Sequence, residues 1–117
     1  MLSPEQRDLL DSVHAIYVAG QVPERNVERE IVKAILSDVS QREPGRSVEV
    51  RIPPYSAIQV VAGHTHRRGT PAAVVETNAR TLVSLAAGSL TWEEAISSGV
   101  LQASGERSDL SRFFPLQ

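Results

Sequence analysis

The chain has no cysteine and is poor in aromatic residues, with one tryptophan, two tyrosines and two phenylalanines in 117 positions. Without thiols there can be no disulfide framework, thiolate metal site or cysteine nucleophile. No apolar run approaches the roughly 18 residues that a membrane span needs. Met1-Leu2-Ser3-Pro4-Glu5 carries no basic segment ahead of an apolar one, so a soluble, cytoplasmic protein is expected. Neither sign of charge dominates. Twelve Lys and Arg against fourteen Asp and Glu leave a net charge of −2, which gives no overall field for nucleic acid or anionic lipid. Phosphate-cradling glycine loops, nucleophile elbows, histidine-glutamate zinc motifs and nucleic-acid signatures are missing too. No serine stands in an activating motif, so neither a catalytic residue nor a cofactor is expected. What is present, 41% hydrophobic and 22% charged residues, fits one domain over 1–117, with helices in 1–45 and a sheet with crossover helices in 46–117.

Ser3-Pro4-Glu5-Gln6 sets a capping hydroxyl, a proline at the first helical position and a glutamine three residues after the cap. Leu9, Leu10, Val13, Ile16 and Tyr17 then recur at spacings of three and four, which predicts a helix from Pro4 to Val18 that stops near Gly20. Pro23 and Glu24 open a second helix with Val27, Ile31, Ala34, Ile35 and Val39 on one face and Glu28, Arg29 and Lys33 pointing outward, ended by Pro44-Gly45. The period then changes to two. Val48, Val50 and Ile52 alternate with Glu49 and Arg51, the pattern of a strand buried on one face. Pro53-Pro54 breaks it, and Ile58 to Ala62 reads as an antiparallel partner. A third strand covers Ala72 to Glu76. Thr77-Asn78 can cap a helix carrying Leu82, Leu85 and Ala86, stopped by Gly88. Thr91 and Glu94 form a capping box for a short helix ending at Ser98-Gly99, and Val100 to Ser104 is the last strand. Arriving after a helical crossover, that strand is placed to pair in parallel. Ser108-Asp109-Leu110 starts a final helical turn with Phe113 and Phe114. The order gives an α+β domain, a mostly antiparallel sheet of four to five strands covered on one face by helices.

The strand, Asn-capped helix, Leu85-Ala86-Ala87-Gly88 stop, Leu90-Thr91-Trp92 helix start, Ser98-Gly99 break and strand to Gly105 together resemble the sterol carrier protein type-two superfamily. Val48 to Pro54, Arg68-Gly69-Thr70-Pro71, Val74 to Thr77 and Ala103 to Ser111 look like a small stand-alone bacterial branch of it. The likeness covers Val27 to Leu116. It implies a carrier that binds a fatty acid, acyl or sterol-like molecule between sheet and helices, with Leu82, Leu85, Trp92, Ile96, Leu101, Leu110, Phe113 and Phe114 walling the ligand; the competing reading of each is ordinary core. The fold also resembles the C-terminal domain of thiol-dependent maleylpyruvate isomerases, but the metal-binding bundle that precedes that domain is lacking here. The alternative reading is therefore a non-catalytic accessory or protein-interaction module.

The sharpest polar cluster is His64-Thr65-His66-Arg67-Arg68. Two imidazoles two residues apart are too few for a zinc site, and the adjacent arginines repel a cation. The same charges suit an anion: Arg67 or Arg68, with Thr70, would hold a carboxylate or phosphate head group at a pocket mouth. Otherwise the loop is a solvated turn. Glu76, next to the cap, is expected to pair with an arginine rather than to act as a base. The first helix, Pro4 to Val18, lies outside the resemblance and is the expected homodimer contact.

Overall fold

The computed structural model describes residues 1–63 and 73–116. The predicted elements appear in the predicted order. Helix α1 spans Pro4–Val18 and α2 spans Arg25–Arg42; strands β1 (Val48–Ile52) and β2 (Ser56–Val60) follow. Then come β3 (Ala73–Thr77), α3 (Ala79–Ala87), α4 (Trp92–Ser97), β4 (Leu101–Gly105) and a 3-10 turn at Ser111–Phe113. Ser3 and Gln6 close the capping box of α1, Asn78 caps α3, and Thr91 and Glu94 box α4. Gly88 ends α3 in the left-handed conformation, at φ +86, which any Cβ would resist.

The sheet is mixed, in the order β2-β1-β3-β4. Here the structure corrects one expectation. The parallel pair is β1 with β3, while β4 runs antiparallel to β3. The reason lies in the traverse: Thr77 at the end of β3 pairs with Leu101 at the start of β4, so α3 and α4 together bring the chain back to the end of the sheet it left. Strand β2 also starts and stops two residues earlier than alternation suggests. Tyr55 N donates to Ile52 O at 2.8 Å, tightening the turn so that Ser56 already faces Ile52. At the other end Val61 adopts φ 66, an outlier for a β-branched residue. It is held there by its own N–H to Glu43 O and by both the N–H and the hydroxyl of Ser47 on its carbonyl.

One sheet face is apolar. Val48, Val50, Ile52, Val60, Ala73, Val75 and Leu101 are buried, whereas Arg51, Glu76 and Gln102 alternate with them on the exposed side. Helices α2 and α3 cover the apolar face, and α1 packs on both of them. Leu10, Val13 and Tyr17 of α1 are buried in that packing, so the stripe expected to bind a second copy is already used within the chain. Glu76 lies beside Arg51 in the β1–β3 register, but Arg51 pairs with Glu49 instead. Burial also reaches a charge: Asp38, with its side chain 1% exposed, receives Arg42 Nε at 2.9 Å one turn along α2.

Glu28 does not point outward as its helical position suggests. Its carboxylate accepts a hydrogen bond from the Tyr17 hydroxyl and another, at 2.5 Å, from the Tyr55 hydroxyl, tying α1, α2 and the β1–β2 turn together. Both phenols are pushed above their ordinary value of 10.0, Tyr17 chiefly by burial and Tyr55 chiefly by its hydrogen bond to Glu28. A phenol whose pKa rises on folding lends stability that is complete below pH 10.0 and is lost as pH climbs through the raised value. Since these are the only tyrosines, phenolate absorbance of the folded chain is expected to show no inflection near 10.0. In Glu28→Gln, Tyr55 alone should return toward it. Two tyrosines ionising near 10.0 in the unmodified protein would show that the clamp does not form.

Candidate functional site

The inner sheet face and its helical cover do not close completely on each other. Between them runs a cleft lined by Leu36 and Val39 of α2, Val50 and Ile52 of β1, Val75 and Thr77 of β3, Leu82 and Leu85 of α3, Trp92 of α4, Leu101 of β4, and Leu110 and Phe114 of the C-terminal segment. Every helix and strand except α1 and β2 contributes, together with the residues on either side of the 3-10 turn. Each strand residue sits there because alternation points it inward. Leu82 and Leu85 are three apart on α3, one face of the helix. Trp92 is the first residue of α4, where the Thr91–Glu94 box fixes the entry of the chain; hydrogen bonds from Thr91 also hold the Glu94 carboxyl below its ordinary range.

The cleft is chemically uniform. Thr77 is its one residue with a polar side chain, and that hydroxyl is committed, donating to Val100 O at 2.7 Å. No charged side chain lines it. It is also narrow, with a volume of about 20 Å³, room for one water molecule and far below the roughly 300 Å³ at which ligand pockets begin. At about 24 cal/mol per Å³ such a space costs the fold only about 0.5 kcal/mol. A permanent 300 Å³ void would cost about 7 kcal/mol, comparable with the entire stability of a small domain.

On the outer side of Trp92 and Phe114 lies a surface recess of about 320 Å³, bounded also by Gly88, Leu90, Thr91, Glu93, Ser111 and Pro115. The two rings stack at 6.3 Å between centroids and 14° between planes, and they form the wall shared by recess and cleft. The C-terminal segment is fastened by Leu116 N to Ala86 O at 3.0 Å, by Arg7 on Leu116 O at 3.2 Å and by the Arg112–Glu43 ion pair.

Of the apolar residues expected at the ligand wall, Leu82, Leu85, Trp92, Leu101, Leu110 and Phe114 are brought together at the cleft. Ile96 and Phe113 are not. Ile96 follows the buried Ala95 on a six-residue helix and turns to solvent, 40% exposed; Phe113 is buried elsewhere, under the Arg112 guanidinium at 4.8 Å. Arg68 and Thr70, with His64, His66 and Arg67, lie outside the described residues. Leu36, Val39, Val50, Ile52, Val75 and Thr77 also line the cleft and are not among the wall residues that the resemblance implies. The periodicity of Val39, Val50 and Ile52 announces burial but does not separate a core position from one that borders a cleft, while Leu36 lies outside the face read for the second helix and Thr77 reads as part of a cap. Among the described residues no group of three or more His, Cys, Asp or Glu is arranged to hold a metal ion, and no helix is long and apolar enough to cross a membrane.

A family model described as bacterial SCP ortholog matches residues 24–116. Among solved structures, that of Sterol Carrier Protein 2 Like 2 from Aedes aegypti aligns over 70% of this chain and 92% of its own, at 13% identity and a TM-score of 0.43. No curated protein matches.

Proposed function

Because the chain belongs to the bacterial SCP ortholog family, we propose that it is a non-enzymatic carrier of a hydrophobic molecule, a fatty acid, acyl chain or sterol-like compound, taken into the cleft between sheet and helices. The observation that carries this reading is the composition of the cleft wall: twelve residues from six elements and the C-terminal segment, all apolar but one, whose hydroxyl is already donated. Such a wall offers no group to abstract a proton, attack a carbonyl or orient water. It offers hydrocarbon contact alone.

The small volume makes binding an expansion. Widening the cleft to ligand size costs about 7 kcal/mol if the space is left unfilled. About ten methylenes buried there return about 8 kcal/mol, at 0.8 each. The two quantities match, so the hydrocarbon of the guest itself holds the cleft open, and the wall that yields is the one made of side chains able to change rotamer: Trp92, Leu110 and Phe114. The strands opposite are fixed by their ladders.

The same narrowness favours a second reading, an interaction module whose interior is simply filled. The packing of α1 speaks against it, since the apolar stripe such a module would offer is covered by α2 and α3. Organic extraction of the purified protein followed by mass spectrometry, together with thermal melts in added fatty acid, separates the two. A carrier yields a stoichiometric extracted lipid or a melting temperature raised by fatty acid. A clean extract with no shift would leave only the interaction module.

A further inference from the structure

At the α1–α2 end of the molecule, remote from the Trp92 recess, there is a second surface hollow of about 300 Å³. Tyr17, Glu28 and Tyr55 line it, with Val22, Pro53 and Pro54 along the edge and Arg80 at the rim. The Arg80 guanidinium lies 6.0 Å from the centre of the Tyr17 ring. Arg25 and Arg29 stand on α2 on either side of Glu28 in sequence, Arg25 three residues earlier on the same helix face, beside the hollow rather than among its lining residues. Among the described residues none of these three arginines has a carboxylate partner, whereas Arg42, Arg51 and Arg112 each have one. The carboxylate that lines the hollow is that of Glu28, both of whose oxygens already accept phenol hydrogens. At the rim of the hollow the Arg80 guanidinium thus stands beside two aromatic rings with no carboxylate paired to it among the described residues.

We propose that this hollow binds a small planar aromatic anion, a ring carrying a carboxylate or a phosphate. The ring packs on the Tyr55 face and the proline edge, as aromatic pairs and apolar edges favour. The acid oxygens meet the Arg80 guanidinium, whose forked donors match carboxylate and phosphate geometry. Glu28 acts as a positioning residue: by accepting both phenol hydrogens it fixes the two rings. The site is independent of the apolar cleft, which holds no charge, and would stand if the carrier reading fell.

The test is a titration of the full chain with phenyl phosphate and with benzoate, followed by amide chemical shifts, with benzyl alcohol and inorganic phosphate as comparison probes. Saturable shifts are expected around Tyr55 and Asn78 to Arg80. Benzyl alcohol and inorganic phosphate should each bind about tenfold more weakly, since each lacks one half of the recognition. The double variant Arg25→Gln/Arg80→Gln, at two exposed positions, should keep its spectral dispersion and lose about tenfold in phenyl phosphate affinity. Four results would overturn the proposal: no saturable shift up to about 10 mM, well above a millimolar dissociation constant; inorganic phosphate binding as tightly as phenyl phosphate; unchanged affinity in the double variant; or shifts that map to Trp92 and the cleft.

Discussion

Leu85→Ala is expected to destabilise the protein by about 2–5 kcal/mol, out of a total of about 5–15 kcal/mol for a domain of this size. The side chain is 1% exposed, so its loss removes both transfer energy and packing contacts. What distinguishes this site from other core positions is where the lost volume goes. Leu85 borders the cleft, and three missing carbons enlarge a space that already exists. A hydrocarbon ligand should therefore restore more stability to the variant than it adds to the unmodified chain, following the logarithmic gain of about 2.7 kcal/mol at one hundred times the dissociation constant. Urea midpoints with and without a long-chain alcohol, at constant m-value, measure both quantities. A loss of the expected size with no extra rescue would mean that Leu85 is packing alone.

Trp92→Ala carries the second large effect. Removal of a buried tryptophan costs about 3–5 kcal/mol, and here it also breaks the stack with Phe114, a pair worth about 0.5–1.5 kcal/mol beyond its buried area. Because Trp92 is part of the wall between the cleft and the 320 Å³ recess, the variant joins the two spaces. Transfer of a fluorescent acyl chain from the protein to vesicles is expected to accelerate about tenfold, the ratio produced by lowering a barrier by about 1.4 kcal/mol. Unchanged transfer, in a variant that melts at the lower temperature its lost packing dictates, would remove Trp92 from the ligand's path.

The reading of the sequence succeeded where the signal is local. The Ser3-Pro4-Glu5-Gln6 start, the Asn78 cap, the Thr91–Glu94 box and the alternation of Val48, Val50 and Ile52 each lie within a few residues, and each is present in the structure. It failed where partners are distant. Glu28 looks like an outward helical charge until Tyr17 and Tyr55, 11 and 27 residues away, arrive at its two oxygens. Val61 looks like a strand residue until Ser47 and Glu43 bind its backbone. The direction of β4 depends on how two helices traverse the sheet, which no propensity encodes. At the cleft, resemblance supplied Leu82, Leu85, Trp92, Leu101, Leu110 and Phe114, while periodicity gave Val39, Val50 and Ile52 only as generic buried positions and did not mark Leu36 at all. Ile96 shows the converse error. On a helix of one and a half turns a single step around the axis moves a side chain from the core to solvent.

The most direct measurement uses the single tryptophan. Trp92 lines the cleft, and heavy-atom quenching by bromine acts only near contact, so titration with a fatty acid brominated along its chain reports whether hydrocarbon enters. Saturable quenching of Trp92 emission at one chain per protein, absent with the unbrominated acid, is the expected result. Emission that stays unquenched while the acid binds, or that falls without saturation as it does for free tryptophan, would contradict a guest between sheet and helices.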